Sequence, residues 1–198
     1  MLKQDIKRIL AQREKKVVLF SNKPLHPAAV LIPIYKKDGE YHVLLTKRTE
    51  ELEYHKGQIC FPGGSHHEED GNLKDTALRE AYEEVGIRPE DVEILGELDS
   101  MGTLTSNFLI TPFVGIIPYP YKFTVSKHEI DELVEVPLSV LADDSNYWEE
   151  TRTAEGVTGK ASFFKYKDKV IWGATARILK QLVDLAFKKA DGATESDC

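Results

Sequence analysis

Residues 61–87 read FPGGSHHEEDGNLKDTALREAYEEVGI. A Pro-Gly-Gly turn at 62–64 leads through a charged loop, 65–72, into a helix expected from about Leu73 to Val85. Asn72 is a natural N-cap, because its side chain can accept from the first free backbone N–H groups. Gly86 marks the other end. Leu78, Ala81, Tyr82 and Val85 supply an apolar stripe. Beside it stand Glu80, Glu83 and Glu84, spaced i, i+3 and i+4 and therefore on one face. Like charges at i,i+4 repel by roughly 0.2–0.5 kcal/mol per pair. They also crowd the negative pole of the helix, where cations are preferred. An isolated Glu-Glu pair would read as a solvated acidic face. Two local rules broken in one place point instead to function. A hard divalent cation, which takes carboxylate oxygens, removes both objections.

The flanking segments alternate between strand and helix. Residues 28–35 (AAVLIPIY) and 41–46 (YHVLLT) are β-rich runs around Lys37-Asp38-Gly39, so they predict a hairpin. Residues 48–58 are polar and predict a loop; Ile59-Cys60-Phe61 predicts a short strand. Downstream, strands are expected at 92–99 and 108–117, the second broken by Pro118 and Pro120. A short helix at 137–142, two late strands at 148–153 and 161–172, and a closing helix at 174–188 follow. Leu2, Ile6, Ile9 and Leu10 predict an amphipathic helix over residues 2–14. Strands mixed with two longer helices give an α/β fold.

The 198 residues fit one domain with a sizeable core. Hydrophobic content of 41% and charged content of 30% are those of a soluble globular protein. A net charge of −7 argues against duplex nucleic acid as a partner. No apolar run reaches the length of a membrane span, and the first residues lack a signal-peptide core. Only Cys60 and Cys198 occur, so a disulfide framework is not expected and a cytoplasmic location is. Cys60, in an apolar strand, reads as a buried thiol rather than a nucleophile.

Gly64, then Arg79-Glu80-Ala81 and Glu83-Glu84-x-Gly86-Ile87, resembles the Nudix box, GX5EX7REUXEEXGU, of the Nudix hydrolase superfamily. Counted forward from Gly64, the first acidic position of the box falls on Asp70; counted back from Arg79, it falls on Gly71. One residue is inserted, and the usual glutamate is missing. The same extension characterises the coenzyme A diphosphatase subgroup. That subgroup's upstream pattern is similar to Leu44-Leu45-Thr46-Lys47-Arg48 followed by His55-x-Gly57-Gln58-Ile59-x-Phe61-Pro62-Gly63-Gly64. The resemblance implies an α/β/α sandwich with a mixed β-sheet over residues 28–188. Residues 1–27 would form an N-terminal helical extension, and 189–198 a frayed tail.

The implied reaction is divalent-metal-dependent hydrolysis of a diphosphate linkage in coenzyme A or a derivative, giving 3′,5′-ADP and 4′-phosphopantetheine. A diphosphate resists attack because its oxygens repel a nucleophile; Mg²⁺ or Mn²⁺ screens them and helps water ionise. By resemblance, Glu80 and Glu84 are the metal ligands, and Glu83 completes the site or helps activate water. Gly64 brings backbone close to the ion, and Gly63 does the same for substrate. Arg79 orients a box glutamate or forms a surface i,i+4 pair with Glu83. Glu129 is a candidate base, with Glu132 and Glu135 as neighbouring competitors. Lys47 and Arg48 are candidate phosphate ligands, the 3′-phosphate of coenzyme A included. His55 and Gln58 belong to the substrate motif. Tyr119, Tyr121 and Phe123 read as loop packing or an adenine platform. The partner is a small nucleotide-like molecule, and a homodimer is a common state in the superfamily. ADP-ribose, NADH or a dinucleoside polyphosphate is an alternative substrate. A binding module without turnover is the other alternative.

Overall fold

The computed structural model describes residues 2–20, 24–51, 56–103, 106–154 and 157–188. In chain order these form α1 (Leu2–Gln12), β1 (Val17–Val18), β2 (His26–Lys37), β3 (Glu40–Arg48), β4 (Ile59–Cys60), β5 (Gly63–Ser65) and α2 (Leu73–Val85). Then come β6 (Glu93–Glu97), β7 (Ser100–Gly102), β8 (Phe108–Ile116), β9 (Ile130–Pro137), α3 (Leu138–Ala142), β10 (Tyr147–Ala154), β11 (Val157–Tyr166), β12 (Lys169–Trp172) and α4 (Gly173–Val183). The first nine strands form one mixed sheet; β10–β12 form a second, antiparallel one.

β2 organises the large sheet. It runs parallel to β8 from His26↔Phe108 to Ile34↔Ile116. It turns into β3 through Asp38 and Gly39, both at positive φ, as a two-residue hairpin requires. Its apolar run does not alternate with polar residues because both faces are covered. Ala29, Leu31 and Tyr35 face one core, with Ala77, Ala81 and Val85 of α2. Ile32 and Ile34 face the other, with residues of α1, α3, α4 and the small sheet. This is the layered α/β/α arrangement expected from the sequence.

The hairpin is forked. β2 and β3 pair only over 34–37 and 40–43. Residues 59–65 enter the gap, with β4 along Thr46-Lys47 of β3 and β5 along Ala28–Val30 of β2. The Leu31 N–H donates to the Pro62 carbonyl at 2.9 Å and stitches the wedge in place. Pro-Gly-Gly therefore sits inside the sheet and does not end it, which the turn-like composition hid.

Other expectations need correction. The stripe of α2 is Ala77, Ala81 and Val85; Tyr82 is 55% exposed. The late run 161–172 is two strands, split at Lys167 with φ 56°. β9 was not expected, because Asp131, Glu132 and Glu135 mask its alternating Ile130, Val134 and Val136. It pairs with β3 from His42 to Arg48. The closing helix stops at Val183 and passes into a π-helical turn, Asp184–Lys188.

Candidate active site

α2 begins and ends as its sequence dictates. The Asn72 side chain accepts from the N–H groups of Lys74 and Asp75, at 3.0 and 3.2 Å. At the far end Gly86 takes a left-handed conformation, φ 73°, and its N–H donates to the Tyr82 carbonyl. A Cβ there would also approach Thr124 Cβ to 2.9 Å. The next two carbonyls are capped from another segment: Ser126 N–H donates to Glu84 O and Thr124 N–H to Val85 O, at 2.9 and 3.0 Å. The segment ahead of β9 is thereby tied to the acidic turn.

That tie positions Glu129. Its N–H donates to Ser126 O at 3.1 Å, and its carbonyl accepts from Thr49 N–H at 2.8 Å. Glu129 thus lies between the end of α2 and the end of β3. Its charge opposes ionisation of both Glu80 and Glu84.

Glu84 is the buried member of the acidic face, 2% exposed. One carboxylate oxygen accepts from the Gly63 N–H at 3.3 Å; the other faces Arg48 Nη1 at 3.5 Å. Burial pushes its pKa up to about 8, against the pull of Arg48 and with the push of Glu129 and Glu80. Glu80 is also raised, first by burial, while Arg79 lowers it. Glu83 is different. Its side chain is 55% exposed, and among the described residues it pairs with Arg79 Nη1, at 3.3 Å.

Gly64 lies against Glu80 so closely that a Cβ would fall 2.5 Å from its carboxyl carbon. A Cβ on Gly63 would strike the backbone of β2, 2.4 Å from Ala29 O. The two glycines let the wedge pass between β2 and the carboxylates of α2.

Arg79 is the hub of the adjoining network. Its Nε and Nη2 donate to the two oxygens of Asp70 at 2.9 and 3.1 Å. Its Nη2 also reaches Ser65 O at 3.1 Å, and its Nη1 reaches Glu80 at 2.7 Å. Arg79 thus contacts both Glu80 and Glu83, at 2.7 and 3.3 Å. Asp70 also accepts from Thr76 Oγ1 and His67 N–H, at 2.8 and 3.0 Å. These donors, Arg79 above all, hold its carboxyl well below the usual carboxylate range. The residue displaced by the insertion therefore serves as the anchor of Arg79, a role that motif counting did not reveal.

The remaining candidates separate. A register shift between Lys47 and Arg48 re-aims the strand end. Arg48 turns to Glu84, and its Nε is buried without a hydrogen-bond partner among the described residues. Lys47 turns away to Asp131, at 3.1 Å. Gln58 contributes its backbone carbonyl to Arg48 N–H at 3.0 Å. His55 lies outside the described residues. Glu132 and Glu135 are engaged elsewhere, by Lys169 at 3.0 Å and by Lys37 and Tyr35 at 2.7 and 2.6 Å. Tyr121 and Phe123 pack under the loop, with the Tyr121 hydroxyl donating to Asp91 at 2.8 Å. Tyr119 stacks on Tyr35. His66 bonds Thr76 at 2.8 Å, a loop role. Cys60 contacts Thr46, and burial raises its thiol pKa, so it is no thiolate nucleophile.

The donor set suits a hard divalent ion, with carboxylate oxygens and no thiolate or imidazole. The buried carboxyl of Glu84 and the glycine cradle around Glu80 fit such an ion. Among the described residues no three Asp, Glu, His or Cys side chains converge as a ready-made cage. Glu80 and Glu84 instead lean on Arg79 and Arg48.

Comparison with known proteins bears on the family and the fold. A model of the NUDIX domain matches residues 24–153. A protein of Yersinia enterocolitica described as an uncharacterized Nudix hydrolase NudL is 40% identical over 158 residues, 79% of this chain and 80% of the relative. One of the same description from Enterobacter sp. (strain 638) is 39% identical over 155 residues, 78% of this chain and 80% of the relative. Among solved structures, a MutT/nudix family protein from Enterococcus faecalis has a TM-score of 0.52 at 14% identity, covering 91% of this chain and 66% of that one. A NUDIX hydrolase from Alicyclobacillus acidocaldarius has a TM-score of 0.50 at 16% identity, covering 89% of this chain and 99% of that one. The two structures speak for the fold, and the sequence matches for the family. This chain belongs to the Nudix hydrolases.

Proposed function

We propose that the enzyme hydrolyses the diphosphate linkage of coenzyme A or a derivative, giving 3′,5′-ADP and 4′-phosphopantetheine. The observation that carries this reading is the pairing of the one-residue box extension with the upstream run Leu44–Gly64. In the fold, that run supplies the β3 side of the fork and the wedge that delivers Gly63 and Gly64 to the carboxylates.

Glu80 and Glu84 hold Mg²⁺ or Mn²⁺ in this reading, with backbone at Gly64 beside them. When bound, the ion supplies charge neutralisation at the phosphate oxygens and Lewis acidity toward water. Arg79, clamped by Asp70, holds Glu80 in orientation. Arg48 and Gly63 fix the two oxygens of Glu84. The oxygen of water forms the new bond to phosphorus, the bridging P–O bond breaks, and one proton leaves the water. Glu83 or Glu129 takes that proton in this reading, supported by the exposure of Glu83 on the helix and the position of Glu129 at the head of β9.

Incubation of the protein with coenzyme A, acyl-coenzyme A, ADP-ribose, NADH and dinucleoside polyphosphates in Mg²⁺ or Mn²⁺, followed by product separation, tests the reading. Coenzyme A should yield the two products above. Cleavage of ADP-ribose with coenzyme A intact would contradict the substrate assignment. Inertness toward the whole panel would favour a nucleotide-binding module.

A further inference from the structure

The two cations that the sequence offered for a phosphate are both engaged. Lys47 pairs with Asp131, and Arg48 with buried Glu84. A cleft lies elsewhere. It has a volume of about 780 Å³ and runs between the C-terminal turn of α2 and the segment 118–126. Glu83, on the acidic face, is one of its walls, so the cleft reaches the helix that carries Glu80 and Glu84. Arg88 and Lys122 line it. Both are exposed, and neither forms an ion pair with another described residue. Its two acids are occupied: Glu83 meets Arg79 at 3.3 Å, and Asp91 accepts from Tyr121 at 2.8 Å. The carbonyls at this end of α2 are occupied as well, those of Glu84 and Val85 by Ser126 and Thr124. The negative pole that would repel an anion is thus largely satisfied by hydrogen bonds. Tyr82, 55% exposed, adds an aromatic ring to the wall.

We infer that this cleft is the subsite for a phosphate monoester of the substrate, with Arg88 and Lys122 as its ligands and Tyr82 beside them. The inference rests on the hydrolase reading above, in which the 3′-phosphate of coenzyme A is that group. Arg88 and Lys122 then act as specificity-determining residues: they select substrates carrying a second anionic group beyond the diphosphate. Arginine suits this role because its planar donors match phosphate oxygens in pairs.

Titration calorimetry with adenosine 3′,5′-bisphosphate and with adenosine 5′-monophosphate, both in Mg²⁺, tests the subsite without relying on turnover. The unmodified protein should bind the bisphosphate roughly ten-fold or more tightly than the monophosphate, the scale of one charged hydrogen-bonded contact. Arg88→Ala/Lys122→Ala should bring the two affinities to within about two-fold, with an unchanged melting temperature because both side chains are exposed. Equal affinities in the unmodified protein, or an undiminished preference in the double variant, would overturn the subsite. Cleavage of coenzyme A, measured in parallel, separates the two readings. A retained preference without cleavage would sink the hydrolase assignment alone, and cleavage without preference would sink the subsite alone.

Discussion

Arg79 grips Asp70 through two parallel hydrogen bonds, at 2.9 and 3.1 Å, and with its third nitrogen reaches Glu80 at 2.7 Å. The Asp70 side chain is 6% exposed and that of Arg79 is 25% exposed, so the clamp is buried at one end. Asp70→Asn removes the charge that holds Arg79 and should destabilise the fold by about 1–3 kcal/mol at pH 7, measured by urea unfolding. The Asp70 carboxyl is depressed in the folded state, so its contribution is present above the ordinary value of 3.8 and lost as pH falls below it. The gap between the unmodified and variant proteins should therefore narrow by pH 3. An equal gap at both pH values would remove Asp70 as the anchor.

Gly64→Ala places a methyl group against the Glu80 carboxyl, at 2.5 Å from its carbon. The carboxylate must move, and a displacement near 1 Å in a catalytic constellation can cost on the order of a hundred-fold in rate. Turnover should fall by roughly that much, while far-ultraviolet circular dichroism stays unchanged. Gly159→Ala is the control: nothing lies within 4 Å of a Cβ there, and its rate should stay within about two-fold.

Glu84 gives the metal-free protein a distinct pH dependence. Its pKa is raised by burial from 4.5 to about 8, so the folded state holds a proton that the unfolded state releases. Stability therefore falls as pH rises through this window, opposite in sign to the effect of Asp70. In excess chelator, the unmodified protein should lose stability between pH 5 and 8 relative to Glu84→Gln. Added Mn²⁺ should reduce that loss, since an ion stabilises the charged form. Parallel pH profiles for the two proteins in chelator would count against a buried, ionisable Glu84.

Arg48 lowers the pKa of Glu84 from 3.5 Å away. Arg48→Ala should move the acidic limb of the kcat/KM profile to higher pH, since a nearby positive charge favours the carboxylate. Arg48→Lys should restore part of the shift. A lowered rate with an unmoved limb would assign Arg48 a packing role only.

The strongest local signals in the sequence survived folding. Asn72 and Gly86 cap α2 as their chemistry demands, and the apolar runs of β2 and β3 became the buried centre of the sheet. What escaped was set by contacts distant in sequence. Pro62-Gly63-Gly64 looks like a turn, yet Gly63 and Gly64 become strand because β2 offers them backbone partners. β9 is hidden by the charges of Asp131, Glu132 and Glu135, whose partners come from other elements. Tyr82 fits the apolar pattern but points outward, because the smaller Ala77 and Ala81 are what the close approach of α2 to the sheet admits. Glu80, Glu83 and Glu84 were legible as a group from helical periodicity. Their unequal burial was not, since it depends on which side of α2 meets the wedge at Gly63 and Gly64.

Mn²⁺ binding followed by electron paramagnetic resonance, with the unmodified protein, Glu80→Gln/Glu84→Gln and Glu132→Gln, probes the metal assignment without any substrate. Glu132 serves as the control because Lys169 engages it on another element. The unmodified protein and Glu132→Gln should deplete the free-ion signal alike, and the double variant should leave it at least about ten-fold less depleted. Equal depletion by all three proteins would contradict a metal site built on Glu80 and Glu84.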